Sequence, residues 1–353
     1  MVATSWWQKR VGWQQLANFG AHKVVPQHHH AVWYYVGGMV LFLLGAQVFT
    51  GALLLFYYVP DIKSAYQSIL QIQSQVDFGW FFRSLHAWGS ALLILFLFLH
   101  AASTYAMKAY RPPRELTWWT GLVLLGLMLG FGFTGYLLPW DDVSFFASKI
   151  GLDITSKLPV LGEPLAIMLR GGPQIGAATL SRFFAVHVMA LPLMTLPFLG
   201  LHLYLVQAHG NAAPEHYLQK PPDRQPTERF FPDFFLKDVM GWMLMGSLLA
   251  VLVTLAPRGI GPEAKPFAAA PEGIKPEWYF LAAYQWLKIL PPRIGPFEGE
   301  LVGIALLLFA GLGLVAMPVL DQGQSQRWAR FAMIYGLTLG AGMLVFTVWG
   351  YVS

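Results

Sequence analysis

Four histidines in two apolar stretches carry the chemistry of this sequence. Residues 78–108 read FGWFFRSLHAWGSALLILFLFLHAASTYAMK, with His86 and His100 standing 14 residues apart. At about 100° per residue that interval returns to within about 40° of one helix face, roughly 21 Å further along the axis. A second stretch, LSRFFAVHVMALPLMTLPFLGLHLYLV, places His187 and His202 15 residues apart, again nearly on one face. Each helix thus presents one imidazole near each surface of a hydrocarbon core about 30 Å thick. Pairing His86 with His187 and His100 with His202 gives two bis-imidazole sites, the axial donor set of a six-coordinate haem iron. A lone histidine on an apolar helix is ordinarily a core residue or a proton relay, but two like-spaced pairs are hard to obtain that way. Zinc fits less well, because its histidine ligands converge at one point and are often joined by cysteine or carboxylate.

Two glycine pairs share the histidine interval: Gly37 with Gly51, and Gly121 with Gly135. Glycine in a membrane helix usually marks close helix packing. Two pairs at the ligand spacing predict more, namely clearance for a haem edge near each surface.

The elements that must position these residues follow from hydropathy. The chain is 56% hydrophobic and only 12% charged, which places it among membrane proteins. Its lack of cysteine excludes disulfides, cysteine-ligated clusters and thioether-attached haem within the chain. A net charge of +5 without basic runs gives no sign of nucleic-acid binding. Residues 1–30 have amphipathic character and no signal peptide, and the His28–His30 tract reads as an interfacial turn. Seven membrane helices are expected near 32–59, 78–108, 118–138, 180–207, 239–256, 301–320 and 329–351. Residues 143–178 read as short helices lying on the membrane surface.

The predicted organisation is therefore all-α: an interfacial segment (1–30), a four-helix dihaem bundle (31–208), a cytoplasmic linker (209–238) and a three-helix part (239–353). Basic residues cluster at Lys9, Arg10 and Lys23, at Lys108, Arg111 and Arg114, and at Arg327 and Arg330. By the positive-inside rule the N-terminus is cytoplasmic and the C-terminus lies outside. His86, His187 and the PEWY segment then fall on the outer side, His100 and His202 on the inner side.

Taken with the four histidines and the glycine pairs, the motifs FGWFFRSLH, PRELTWWTG, GYLLPW, RFFAVH and PEWY give a specific likeness. The sequence resembles cytochrome b of the quinol-oxidising, Rieske-containing bc/bf complexes over nearly its whole length. The 15-residue histidine interval is similar to that of the bf branch, although here the PEWY-bearing part is continuous with the first four helices.

The resemblance implies oxidation of quinol at the outer side, with one electron passing to a Rieske iron–sulfur protein. The other passes through two non-covalent b-type haems to a quinone at the cytoplasmic side. It also implies a c-type cytochrome acceptor or subunit, lipid contacts, a homodimeric complex and a prokaryotic cytoplasmic membrane. Glu277 would take a quinol proton, with Tyr279 and Tyr136 lining the same pocket; the plainer role for Glu277 is helix capping or loop bracing. Arg83 and Arg182 would pair with haem propionates, or else snorkel to the interface.

Ala87, Gln207 and Ala208 depart from the bf pattern, so inner quinone-site residues are not carried over. In that branch a further haem is held by a thioether to a cysteine at the position of Tyr35. No covalently attached haem is expected here. A dihaem anchor of a dehydrogenase would lack PEWY, and a proton-coupled transporter would show inverted repeats, of which the sequence has no convincing trace.

Overall fold

The computed structural model describes residues 23–353. Most of the 1–30 segment therefore lies outside the described residues. Among the described residues, seven helices are long and apolar enough to cross a membrane: Ala31–Leu55, Gly79–Ala106, Glu115–Tyr136, Ala177–His209, Phe230–Leu255, Gly299–Leu320 and Gln326–Val352. These are called the first to seventh spans. Each overlaps the stretch that hydropathy assigns to it.

Between the fourth and fifth spans, Phe231 is extended, with φ −118° and ψ 132°, and the regular helix of the fifth span is Phe235–Leu255. The linker is not structureless: Thr227–Arg229 pairs antiparallel with Val24–Pro26, tying the start of the described chain to the joint between the two halves. Polar, proline-rich composition hid this three-residue strand.

The first four spans enclose a layer of Leu43, Leu92, Leu93, Leu97, Leu124, Leu127, Met128 and Leu191, which Met245 and Leu249 of the fifth span close from one side. Within lipid, such a layer is held by tight packing rather than by escape from water. Its position matters, because in sequence it falls between the two histidines of the second span and between the two glycines of the third.

At one end, helices Asp142–Ser156 and Gly162–Arg170 lie where surface helices are expected. Asp141 starts the first of them through a capping box with Ser144. Phe145, Phe146 and Leu152 pack there with Leu137, Trp140, Leu180 and Phe183.

The sixth and seventh spans attach at the opposite end. Pro318 lacks the amide that would bond the Leu314 carbonyl, and the Trp118 indole donates to that oxygen at 2.8 Å instead. Asp321, fully buried, accepts from Tyr110 at 2.6 Å and from Arg111 at 2.9 Å, while Arg111 also reaches Glu215 at 2.9 Å. One charged cluster thus joins the second–third loop, the linker and the sixth–seventh loop. These three connections therefore lie on one side.

Candidate functional site

The structure brings the four histidines together as the spacing requires. His86 faces His187 with ring centres 6.3 Å apart, and His100 faces His202 at 6.5 Å. A metal–imidazole bond of about 2.0 Å plus roughly 1.1 Å from nitrogen to ring centre, counted twice, predicts about 6.2 Å across a six-coordinate iron. Both gaps fit a haem iron. Among the described residues no group of three His, Cys, Asp or Glu side chains converges as a metal-binding cluster, which leaves zinc without its usual donor set.

His187 opens a π-helical turn, Val186–Ala190, in which the Leu191 amide bonds the Val186 carbonyl five residues back. Pro192, two residues past the end of the turn, cannot donate to the ladder, which favours the wider turn. That turn absorbs one residue. The 15-residue interval of the fourth span therefore covers about the same rise and face as the 14-residue interval of the second.

Each of the four glycines faces one ligand. A Cβ added at Gly51 would lie 3.2 Å from His86 Cε1, at Gly37 3.1 Å from His100, at Gly121 3.3 Å from His202 and at Gly135 2.6 Å from His187. The sequence reading assigns these glycines to haem-edge clearance; the atoms they face are those of the imidazoles. First-span glycines seat second-span ligands, and third-span glycines seat fourth-span ligands.

Three threonines, which sequence reasoning missed, complete the seats. Thr50, Thr120 and Thr134 each precede one of these glycines, and each hydroxyl donates to the carbonyl four residues back, at 2.7, 2.9 and 2.8 Å. Their oxygens meet Nδ1 of His86 at 2.9 Å, of His202 at 3.0 Å and of His187 at 3.2 Å. A hydroxyl whose single proton is committed can only accept, so Nδ1 carries the hydrogen and the Nε2 lone pair stays free for a metal. The recurring Thr-Gly dipeptide was the available signal.

At the end that carries His86 and His187, Glu277 is the N-cap of helix Trp278–Lys288, yet its side chain makes no capping hydrogen bond. Burial raises its pKa; the Arg258 guanidinium and the Trp278 amide oppose the shift without reversing it. Tyr279 is buried against Gly132 of the third span, 2.8 Å from an added Cβ there. Its hydroxyl pKa is raised by burial first, then by the neighbouring Glu277 and Tyr136. These three residues form one cluster.

The two arginines both bond backbone carbonyls. Arg83 is buried and donates to the Arg258 carbonyl at 2.6 Å and the Gly259 carbonyl at 3.1 Å, clamping the loop that leads to Glu277. Arg182 donates to the Met168 carbonyl at the end of a surface helix. Both guanidinium groups spend donors on backbone.

Features near His100 and His202 also escaped the sequence reading. Asp238 lies in the fifth span against Gly38, and its buried Oδ1 has no hydrogen-bond partner. The Gly37–Gly38 doublet and a carboxylate inside an apolar helix were the available clues. Lys23 donates to Gln207, which brings a cation to the position after the last ligand. Burial holds the Lys23 pKa below the usual lysine value.

Comparison with known proteins agrees with this geometry. The family model Cytochrome b/b6/petB matches residues 21–210, and Cytochrome b(C-terminal)/b6/petD matches residues 263–353. The cytochrome bc complex cytochrome b subunit of Chlorobaculum thiosulfatiphilum is 43% identical over 98% of this chain and 80% of its own length. The menaquinol:cytochrome c reductase cytochrome b subunit of Bacillus subtilis (strain 168) is 41% identical over 57% of this chain and 92% of its own. A solved chain of a hyperthermophilic respiratory Complex III shares the fold, with a TM-score of 0.78 at 24% identity over 98% of both chains. This multi-pass membrane chain belongs to the cytochrome b/b6 family, with its N- and C-terminal parts fused in one polypeptide.

Proposed function

We propose that the chain is the cytochrome b subunit of a quinol:cytochrome c oxidoreductase in a prokaryotic cytoplasmic membrane. The observation that carries this reading is the pair of facing imidazoles at each end of one leucine layer, at 6.3 and 6.5 Å between ring centres. Two non-covalent b-type haems, one per pair, supply a one-electron path from the outer to the inner side. Thr50, Thr134 and Thr120 fix the ligand tautomers, and the four glycines give the rings room.

Quinol binds at the outer cluster, where Glu277 accepts a proton beside Tyr279 and Tyr136. Its raised pKa brings proton affinity closer to that of the working medium, as a general base needs. Arg83 and Arg258 hold the loop that presents it. At the inner side Asp238 supplies a carboxylate where quinone reduction takes up protons. The relatives named as menaquinol:cytochrome c reductases favour menaquinol as the donor. Partners are a Rieske iron–sulfur protein, a c-type cytochrome, lipid and a second copy of the complex. The N-terminus is cytoplasmic and the C-terminus outside.

Tyr35 stacks on Phe234 with ring centres 4.7 Å apart, filling the face where a further macrocycle would lie. No covalently bound haem is expected on that face.

The test uses the purified complex with menaquinol and an oxidised c-type cytochrome. Quinol-dependent reduction of the cytochrome, with a b-type reduced-minus-oxidised spectrum, is expected. A b-type spectrum without quinol-driven turnover overturns the reductase reading. Haem that migrates with the denatured polypeptide overturns the non-covalent assignment.

A further inference from the structure

The four ligand seats are not equivalent. Thr50, Thr120 and Thr134 precede three of the glycines and hold His86, His202 and His187 through Nδ1. The residue before the fourth glycine, Gly37, is Val36, which is buried and offers no acceptor. Nδ1 of His100 is buried and has no hydrogen-bond partner. Buried ring nitrogens are rarely left so. The outer pair thus has both ligands braced by a hydroxyl, the inner pair only one.

Hydrogen bonding from Nδ1–H shifts electron density onto the imidazole, makes Nε2 the stronger donor and stabilises the more oxidised iron. Where that bond is missing, the reduced iron is relatively favoured. We propose that Val36, by withholding a hydroxyl from His100, makes the inner haem easier to reduce and so biases electron flow inward. Val36 is a positioning residue acting through His100, and the inference rests on the bis-histidine haem reading above.

Val36→Thr has nearly the shape of the native side chain and repeats the pattern of the other seats. Its hydroxyl would donate to the Val32 carbonyl, four residues back, and accept from His100. The experiment is potentiometric titration of the b-haem absorbance in the intact complex, with the inner component assigned by its loss in His100→Ala. Val36→Thr should keep two haems and lower the inner midpoint while leaving the outer one in place. Thr120→Val should raise the inner midpoint, and Thr50→Val the outer one.

An inner midpoint unmoved in Val36→Thr with both haems retained overturns the proposal. If that variant does not assemble, an unmoved inner midpoint in Thr120→Val does so. Failure of the underlying haem reading has a different signature: the wild type itself would lack two b-type components.

Discussion

At the scale of single residues, the outer cluster and the glycine seats make separable predictions. Glu277 must be unprotonated to accept a quinol proton, and its raised pKa means that this form is lost at a higher pH than for an ordinary carboxylate. Turnover should therefore fall as pH drops through that raised value. Glu277→Gln should keep both haems, slow quinol oxidation by about 100-fold and flatten the acidic limb of the pH profile. Unchanged turnover across the range would leave Glu277 a purely structural residue.

The glycine seats should respond in order of their clearance. Gly135→Ala, with an added Cβ 2.6 Å from His187, should cost far more outer-haem occupancy than Gly121→Ala, at 3.3 Å from His202, costs at the inner site. Overpacking of this kind is worth about 1–3 kcal/mol, enough for a clear loss on haem titration. The histidines and glycines were legible because their intervals of 14 and 15 residues nearly return to one helix face. The threonines were not read, because a hydroxyl in a membrane helix usually satisfies itself on its own backbone. Here it does so and still faces a ligand. The contacts of Arg83 were not legible for a related reason: sequence places it near a ligand but says nothing of the carbonyls of a loop 175 residues away.

At the scale of elements, the seven spans were readable from hydropathy, and what was missed is tertiary: the pairing of Thr227–Arg229 with Val24–Pro26 inside the linker is invisible in composition. The π-helical turn at Val186–Ala190 makes a sharper prediction. Deleting Met189, an exposed residue within the turn, should let it relax to an ordinary α-turn and keep both haems. Deleting Leu95, in the regular helix between His86 and His100, should rotate one ligand by about 100° and lose a haem. Haem quantification in the two deletions checks the contrast; equal losses would show that the bulge is not what reconciles the two intervals.

At the scale of the whole molecule, the halves are joined by the buried cluster around Asp321. Arg111→Met leaves that carboxylate fully buried with Tyr110 as its remaining side-chain partner, and should destabilise the chain by about 3–5 kcal/mol. Tyr110→Phe removes one hydrogen bond and should cost about 1–3 kcal/mol. Thermal unfolding in detergent measures both, and a Tyr110 effect exceeding that of Arg111 would contradict the account.

The central claim concerns the membrane-crossing pairs themselves, and its most direct test is a redox titration of b-type absorbance in four ligand variants. His86→Ala and His187→Ala should each remove the same component. His100→Ala and His202→Ala should each remove the other, from a wild type holding two haems per chain. Loss of one shared component by His86→Ala and His100→Ala would contradict the pairing on which the whole account stands.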